Sequence, residues 1–197
     1  MRSNDECSSR MLKDKEKRKR LLQRIRVPLG FAMAIVLVLF GQPTSLTLAI
    51  GSFLLLCGLL IRAWAAGHIH KYEKLAVTGP YSFTRNPLYF GSFLIAAGFA
   101  TAAGVWWLAL IVGILYLAIY YPVMRVEEDD LRSRFGTDFD EFARNVPLFF
   151  PRPTPWKKMD AGFDFQLYLK HKEYQAAIGT LLIAGILAGK MYFFPIQ

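Results

Sequence analysis

Cysteine is scarce in this sequence, with two residues in a chain of 197. Cys7 lies in a polar stretch and Cys57 in an apolar run, so a bond between them would have to join an aqueous residue to one in lipid. We therefore expect no structural disulfide. A cleavable secretory leader is not expected either, because residues 1–26 are mainly polar and no small-residue cleavage site follows the first apolar run.

Acidic residues are also few, with 15 Asp and Glu against 24 Lys and Arg and a formal net charge of +9. A basic chain of this kind can bind nucleic acid. Here, however, the basic residues flank apolar runs and do not form one face of a globular domain. We expect membrane lipid, and no nucleic acid, to be the partner of these charges.

Apolar residues are abundant, because hydrophobic residues make up 54% of the chain and aromatic residues 15%. A soluble domain of this length usually carries less. The long apolar runs predict an all-α, polytopic membrane protein with about five transmembrane helices. The predicted spans are Val27–Phe40, Thr44–Trp64, Pro87–Ala103, Val105–Val126 and Gln175–Phe194.

The positions of the basic residues predict the orientation of these spans. Ten Lys and Arg lie in residues 1–26, four in 62–87 and nine in 125–174, and Lys190 is the remaining one. Because basic loops stay on the cytoplasmic side, these three stretches are predicted to be cytoplasmic in an inner or plasma membrane. The N-terminus is then inside and the C-terminus outside, with Lys190 near the outer interface.

The chain divides into four predicted segments. They are a basic cytosolic tail (1–26), a transmembrane hairpin (27–66), a core with two transmembrane helices and cytosolic segments (67–160), and a cytosolic connector with the C-terminal helix (161–197).

Residues 79–91 run from a predicted turn directly into the third span. Gly79 and Pro80 favour the turn, and Asn86 precedes a proline suited to the first position of a helix. Arg85 lies beside this helix start. A helix amino terminus and a guanidinium together favour an anion, and the guanidinium fork suits a carboxylate.

A run of acids at residues 127–136 follows the fourth span directly. Four consecutive carboxylates at a membrane exit need cations or water nearby. Arg85 together with Glu127 or Glu128 would bracket a zwitterionic ligand that carries a carboxylate, an amine and hydroxyls. S-adenosylmethionine carries all of these groups.

Other interpretations of these charges remain open at this point. Glu128 with Arg132, and Asp130 with Arg134, lie four residues apart and are suited to ordinary ion pairs on a solvated helix face. Arg85 is equally suited to anchoring a span at the membrane boundary.

The two motifs together resemble the isoprenylcysteine carboxyl methyltransferase and phospholipid methyltransferase superfamily over roughly residues 60–153. The matching residues are Gly79, Tyr81, Arg85, Pro87, Tyr89 and Gly91, then Glu127, Glu128, Leu131, Phe135 and Gly136. Three positions depart from the pattern, since Glu73 and Asn86 replace histidines and Phe142 replaces a tyrosine. The Asn86 side chain keeps a polar cap at the start of the helix.

The resemblance implies an integral membrane enzyme that binds S-adenosylmethionine in a cytosolic pocket and methylates a lipophilic acceptor. That acceptor is a prenylated substrate carrying an isoprenylcysteine-like carboxylate, or a lipid amine. Arg85 and Glu127 are the predicted catalytic residues. The predicted cofactor contacts are Gly79, Tyr81, Arg85, Asn86, Pro87, Tyr89, Glu127 and Glu128.

Two alternative functions accompany this interpretation. One is a sterol-type membrane reductase that uses NADPH, although such enzymes resemble His-Pro-Asn-Tyr where this chain has residues 86–89. The other is a non-catalytic membrane binding protein.

His68 and His70 lie two residues apart, just after the second predicted span. We interpret them as interfacial histidines and not as metal ligands, because no third ligand lies nearby in the sequence. We predict no metal site, and the sequence predicts no oligomeric state.

Overall fold

The structure is a computed structural model that describes residues 30, 32–68, 74–158 and 162–193. Within these ranges the regular elements are helices, which confirms the all-α prediction. In chain order they are α1 (residues 32–40), α2 (Ser45–Ala66), a 3-10 turn (Gly79–Ser82), α3 (Pro87–Ala102), α4 (Trp106–Phe135), α5 (Thr137–Asn145), α6 (Phe165–Lys170) and α7 (Glu173–Phe193). The basic tail, His70 and Glu73 lie outside the described residues.

Three of the described helices, α2, α4 and α7, are long and apolar enough to cross a membrane. The α3 helix is also apolar but has only 16 residues. Large apolar side chains such as Phe53, Leu110 and Leu181 are exposed on the outer surfaces of the helices. A surface of this kind requires lipid around it, so the predicted polytopic membrane architecture is confirmed.

Helices α2 and α3 start where local chemistry favours a start. The Thr44 hydroxyl accepts from the Thr47 amide at 3.2 Å, while the Thr47 hydroxyl oxygen accepts from the Thr44 amide at 2.9 Å. This reciprocal capping satisfies two amides that a helix leaves without partners. Pro87 opens α3, where its missing N–H is not needed.

Four glycines bring α2 and α3 into backbone contact. A Cβ added at Gly51 would lie 2.7 Å from the carbonyl oxygen of Gly98, and one added at Gly58 would lie 2.6 Å from that of Gly91. Only glycine permits so close an approach. The two contacts are seven residues apart on both helices, so they fix the register in which Arg62 of α2 lies beside Gly91.

The reversals between helices collect at one end of the bundle, called here the turn end. The Gln42 amide donates to the Ala103 carbonyl at 2.6 Å, which joins the turn after α1 to the turn after α3. The Lys190 ammonium of α7 donates to the carbonyls of Val38 and Leu39 at 2.7 and 2.9 Å. It therefore satisfies carbonyls at the end of α1. The opposite end, the site end, holds the 3-10 turn and the starts of α3 and α7.

Candidate functional site

The 3-10 turn begins at a position that requires glycine. Gly79 has φ +58°, and a Cβ there would lie 2.6 Å from Cδ2 of the His68 ring. His68 is buried, and its Nδ1 donates to the Trp64 carbonyl at the end of α2 at 2.9 Å. The turn is therefore held against the end of α2 by His68. Its glycine has a backbone role in the structure.

The chain after α5 runs antiparallel to the segment between the 3-10 turn and α3. The Arg85 amide donates to the Pro147 carbonyl at 2.9 Å, and the buried Thr84 hydroxyl donates to that of Phe149 at 2.9 Å. Further along, the Ser82 hydroxyl donates to the Lys157 carbonyl at 2.9 Å. These bonds fix the backbone from which the Arg85 side chain projects.

Arg85 forms an ion pair with Glu128 across the site end. Arg85 precedes α3 and Glu128 lies near the end of α4, so the pair joins the two motifs that the sequence separates. Oε2 of Glu128 also accepts from Arg125 at 2.7 Å. The Glu128 side chain is 4% exposed and that of Arg85 is 13% exposed. A pair this deeply buried depends on both partners, since losing one leaves a buried charge uncompensated.

The electrostatics around Arg85 favour an additional anion. Burial lowers the pKa of Arg85, Glu128 raises it, and the positive charges of Arg125 and Arg132 lower it further. The Nε atom of Arg85 is buried and has no hydrogen-bond partner among the described residues. A ligand with an anionic oxygen would satisfy this donor.

Tyr89 and Glu127 form the second contact between the motifs. The Tyr89 hydroxyl donates to Oε1 of Glu127 at 2.8 Å. The Tyr89 carbonyl accepts from the Tyr116 hydroxyl at 2.5 Å, and the rings of Tyr116 and Tyr120 stack at 4.2 Å. The Glu127 carboxylate of α4 therefore contacts α3 next to this group of tyrosine rings.

Tyr81 lies buried between several charges. Burial raises the pKa of its hydroxyl, and the negative charges of Glu127 and Glu173 raise it further, while Arg62 acts in the opposite direction. The hydroxyl has no hydrogen-bond partner among the described residues. It therefore stays a neutral hydrogen-bond donor beside a polar cluster at the site end.

Arg62, Ser92 and Glu173 belong to this cluster, and sequence analysis missed them. The Arg62 guanidinium binds both carboxylate oxygens of Glu173 through two hydrogen bonds of 2.9 Å and also donates to the Ser92 hydroxyl. It thereby links α2, α3 and α7 at the site end. A charged residue at the end of an apolar run is a recognisable signal for a functional or pairing position. The partner helix of Arg62 was not visible in the pattern.

Two of the sequence interpretations need correction. Asn86 precedes α3 without a side-chain capping bond, and its amide nitrogen donates instead to the Leu148 carbonyl at 3.0 Å. Glu128 does not pair with Arg132, because Glu128 contacts Arg85 and Arg125 while Arg132 contacts Asp140 at 2.8 Å. In both cases tertiary contacts from distant segments displace the local partner that the spacing favours.

The predicted residues thus fall into two groups in the structure. Gly79, Asn86 and Pro87 shape and fix the backbone before α3. The polar side chains that converge at the site end, whether or not they were predicted, are Arg62, Tyr81, Arg85, Tyr89, Glu127, Glu128 and Glu173. Together they gather cationic, anionic and neutral donor groups at this end of the bundle. His68 packs against Gly79 of the 3-10 turn, whereas His70 is outside the described residues.

Comparison with known proteins adds a family to this geometry. The phospholipid methyltransferase family matches residues 29–138, which is more than half of the chain. This stretch contains both motifs and the helices that carry them.

Two curated proteins are similar to part of the chain. The nickel-cobalt-cadmium resistance protein NccN of Alcaligenes xylosoxydans xylosoxydans is 40% identical over 93 residues, which cover 46% of this chain and 43% of that protein. The cobalt-zinc-cadmium resistance protein CzcN of Cupriavidus metallidurans is 34% identical over 93 residues, with the same coverage. The chain thus matches less than half the length of either relative. No solved structure matches it.

The family match spans the paired motifs, and α4, which carries the second motif, is one of the three described helices that are long and apolar enough to cross a membrane. The resemblance inferred from the sequence is confirmed. This chain belongs to the phospholipid methyltransferase family of membrane methyltransferases.

Proposed function

We propose that this protein transfers a methyl group from S-adenosylmethionine to a lipophilic acceptor at the cytosolic face of the membrane. The observation that carries the proposal is the convergence of the two motifs, with Arg85 on Glu128 and Tyr89 on Glu127. These four side chains come from the start of α3 and the end of α4. Their meeting supports one polar site between helices whose remaining surface is apolar.

The residues at the site suit S-adenosylmethionine. Its carboxylate requires a cationic fork, for which Arg85 has an unpartnered, buried Nε. Its amine and ribose hydroxyls can donate hydrogen bonds to a carboxylate such as Glu127. The Tyr81 hydroxyl is a further buried donor, and it has no partner in the described part of the chain. When bound, the cofactor supplies a methyl group on a positively charged sulfur.

The protein's own contribution is binding, alignment and exclusion of water. Glu127 is held by Tyr89, so its position is fixed before any ligand arrives. Neither Glu127 nor Glu128 should contact the sulfur, since a carboxylate there would stabilise the positive charge that disappears during transfer. We therefore assign Arg85 to the carboxylate and Glu127 to the ribose or amine. Glu128 holds Arg85.

An apolar acceptor is supported by the side chains around the site. Tyr89, Phe90 and Phe93 pack with Tyr116 and Phe149 in one aromatic cluster beneath the polar groups. The partly exposed rings of Tyr89, Phe90 and Phe93 give an acceptor with a lipid-like tail apolar surface to lie against, while its heteroatom reaches the polar end. An isoprenylcysteine-like carboxylate and a lipid amine both fit this description.

The relatives are named for resistance to nickel, cobalt, cadmium and zinc. We propose that any contribution of this chain to metal tolerance comes from methylation of a membrane component.

The proposal is tested by titrating S-adenosylmethionine into the purified full-length protein in detergent and following binding by calorimetry. Arg85→Ala and Glu127→Ala should each weaken binding at least about tenfold, as loss of a charge-assisted contact predicts. Glu141→Ala, an exposed carboxylate on α5, serves as the control. Unchanged affinity in both site variants would remove their assigned roles.

A second assay separates the enzyme from its alternatives. The protein is incubated with methyl-labelled S-adenosylmethionine and a crude lipid extract, and the product is separated by chromatography. A labelled lipid or peptide identifies the acceptor. NADPH is titrated into the same detergent-solubilised protein in parallel. Binding of NADPH without any labelled product would instead favour the reductase.

A further inference from the structure

The C-terminal helix α7 lies outside the stretch that the family matches, yet its first residue contributes to the site end. The match ends at residue 138, whereas α7 covers Glu173–Phe193. Of the residues described in α7, Thr180 and Leu187 are buried. In lipid, apolar side chains gain little from moving onto another helix, so this limited packing holds α7 weakly. The position of α7 therefore depends on polar contacts at its two ends.

One polar contact holds each end of α7. At the turn end the Lys190 ammonium donates to the carbonyls at the end of α1. At the site end the Glu173 carboxylate accepts from Nε and Nη2 of Arg62, and the two side chains are 11% and 21% exposed. Glu173 also lies in the first turn of α7, where the helix dipole favours a negative charge. Two parallel hydrogen bonds fix the plane of the guanidinium as well as its position.

The same guanidinium connects α7 to the first turns of α3. Its remaining nitrogen, Nη1 of Arg62, donates to the Ser92 hydroxyl. The Ser92 hydroxyl donates in turn to the Leu88 carbonyl at 2.9 Å. Leu88 precedes Tyr89, whose hydroxyl donates to Glu127. A chain of polar contacts thus runs from α7 through α2 to the turn of α3 that carries Tyr89.

The charge of Arg62 also acts on the proposed donor site. Burial raises the pKa of the Tyr81 hydroxyl, and the charges of Glu127 and Glu173 raise it further. Arg62 lowers the pKa of the same hydroxyl, so Arg62 lies within electrostatic reach of the Glu127 side of the site. Without Glu173, this part-buried guanidinium would keep its charge and lack its bidentate counter-charge. It would then attract Glu127 and compete with the amine of a bound methyl donor for that carboxylate.

We propose that Glu173 is a positioning residue for the methyl-donor site, which makes α7 part of the architecture of that site. Glu173 acts through Arg62 in two ways. It holds the guanidinium against Ser92, so that the first turns of α3 stay ordered, and it keeps the Arg62 charge from drawing Glu127 away from the donor. This inference rests on the proposed function, because the donor site is the one to which Glu127 is assigned there.

The test measures S-adenosylmethionine binding to the full-length protein in detergent by calorimetry. Glu173→Gln keeps the size of the side chain, removes the counter-charge and should weaken binding about tenfold. Lys190→Gln is the matched control, because it removes the polar contact at the other end of the same helix. It should lower the Tm but leave the affinity within about twofold. A merely structural role of α7 would instead weaken binding equally in both variants.

A double variant separates the effect of the charge from loosening of the helix. Arg62→Gln combined with Glu173→Gln removes both charges, so that no uncompensated charge remains near Glu127. Its affinity should return to within about threefold of that of the unmodified protein. If the only role of Glu173 were to dock α7, binding would stay as weak as in Glu173→Gln or become weaker, because the ion pair is absent from both variants.

Hydrogen–deuterium exchange without any ligand tests the connection to α3 independently. Glu173→Gln should speed amide exchange in residues 86–93, whereas Lys190→Gln should leave exchange there unchanged. This measurement does not depend on the identity of the cofactor. If the unmodified protein bound no S-adenosylmethionine, the proposed function would fail, and exchange alone would decide whether Glu173 orders α3.

Four results would overturn the inference. They are donor binding that is unchanged in Glu173→Gln, an equal loss in Lys190→Gln, a double variant as weak as Glu173→Gln, and unchanged exchange in residues 86–93. Any of them leaves the methyl-donor proposal intact, because that proposal is tested with substitutions of Arg85 and Glu127.

Discussion

The hydroxyl of Tyr89 donates a 2.8 Å hydrogen bond to Oε1 of Glu127, from the first turn of α3 to the exit of α4. The two residues are 38 positions apart in the chain. The bond lies beside the ion pair of Arg85 and Glu128, so two consecutive carboxylates take two different partners. One carboxylate is oriented by a neutral donor and the other is neutralised. This difference underlies their separate roles in the proposal.

The Tyr89–Glu127 bond can be measured directly. Tyr89→Phe and Glu127→Gln should show a coupling of about 1.5 kcal/mol in a double-mutant cycle of unfolding free energies, as expected of a hydrogen bond to a charged group. Tyr121→Phe, at an exposed position on α4, is the control and should show no coupling with Glu127→Gln. A coupling near zero for Tyr89 would mean that the bond does not orient the carboxylate.

Glu128 should contribute more to stability than an exposed carboxylate does. Glu128→Gln leaves the buried Arg85 without a counter-charge and should lower the free energy of unfolding by about 3 kcal/mol. The measurement is thermal unfolding in detergent at neutral pH. Glu141→Gln makes the same chemical change at an exposed position and should shift the Tm little. Equal shifts for the two variants would contradict the structural role of the pair.

The same substitution should have opposite effects at two glycines. Gly58→Ala places a Cβ 2.6 Å from the Gly91 carbonyl and should destabilise the protein by about 1–3 kcal/mol. Gly185→Ala meets no atom within 4 Å and should stabilise α7 by up to about 1 kcal/mol. Thermal unfolding of both variants gives the comparison. A stabilised Gly58 variant would show that α2 and α3 are further apart than described.

Cysteine labelling tests the proposed orientation. In a background with Cys7→Ala and Cys57→Ala, single cysteines are introduced by Gln42→Cys at the turn end and Asp138→Cys at the site end. Both positions are exposed. A membrane-impermeant maleimide should label the first in intact cells and the second only after lysis, because basic stretches stay inside. The reverse pattern would place the site on the outer face.

Much of the fold followed from the sequence. Long apolar runs predicted the helices, and Pro87 marked the first residue of α3. The prediction of capping was less accurate at Asn86, because Leu148, which is 62 positions away, provides a carbonyl for its side chain. Local propensity fixes where a helix starts, but a side chain bonds to whichever partner the tertiary fold brings within reach.

The glycine contacts show the same limit. Gly51 and Gly58 have the spacing of Gly91 and Gly98, and this shared seven-residue interval was available in the sequence as a packing signal. Spacing alone does not say which helix faces which. The contact between α2 and α3 became visible only in the structure, and with it the position of Arg62 beside Ser92.

The sequence by itself determined the all-helical membrane class, the family and the two motifs, because hydropathy and short motifs are encoded locally along the chain. The tertiary structure alone decided which charges are partners. It paired Glu128 with Arg85 in place of Arg132 and joined Arg62 to Glu173. The physical reason is that an ion pair depends on a distance of a few ångströms, which helix packing sets and sequence separation does not.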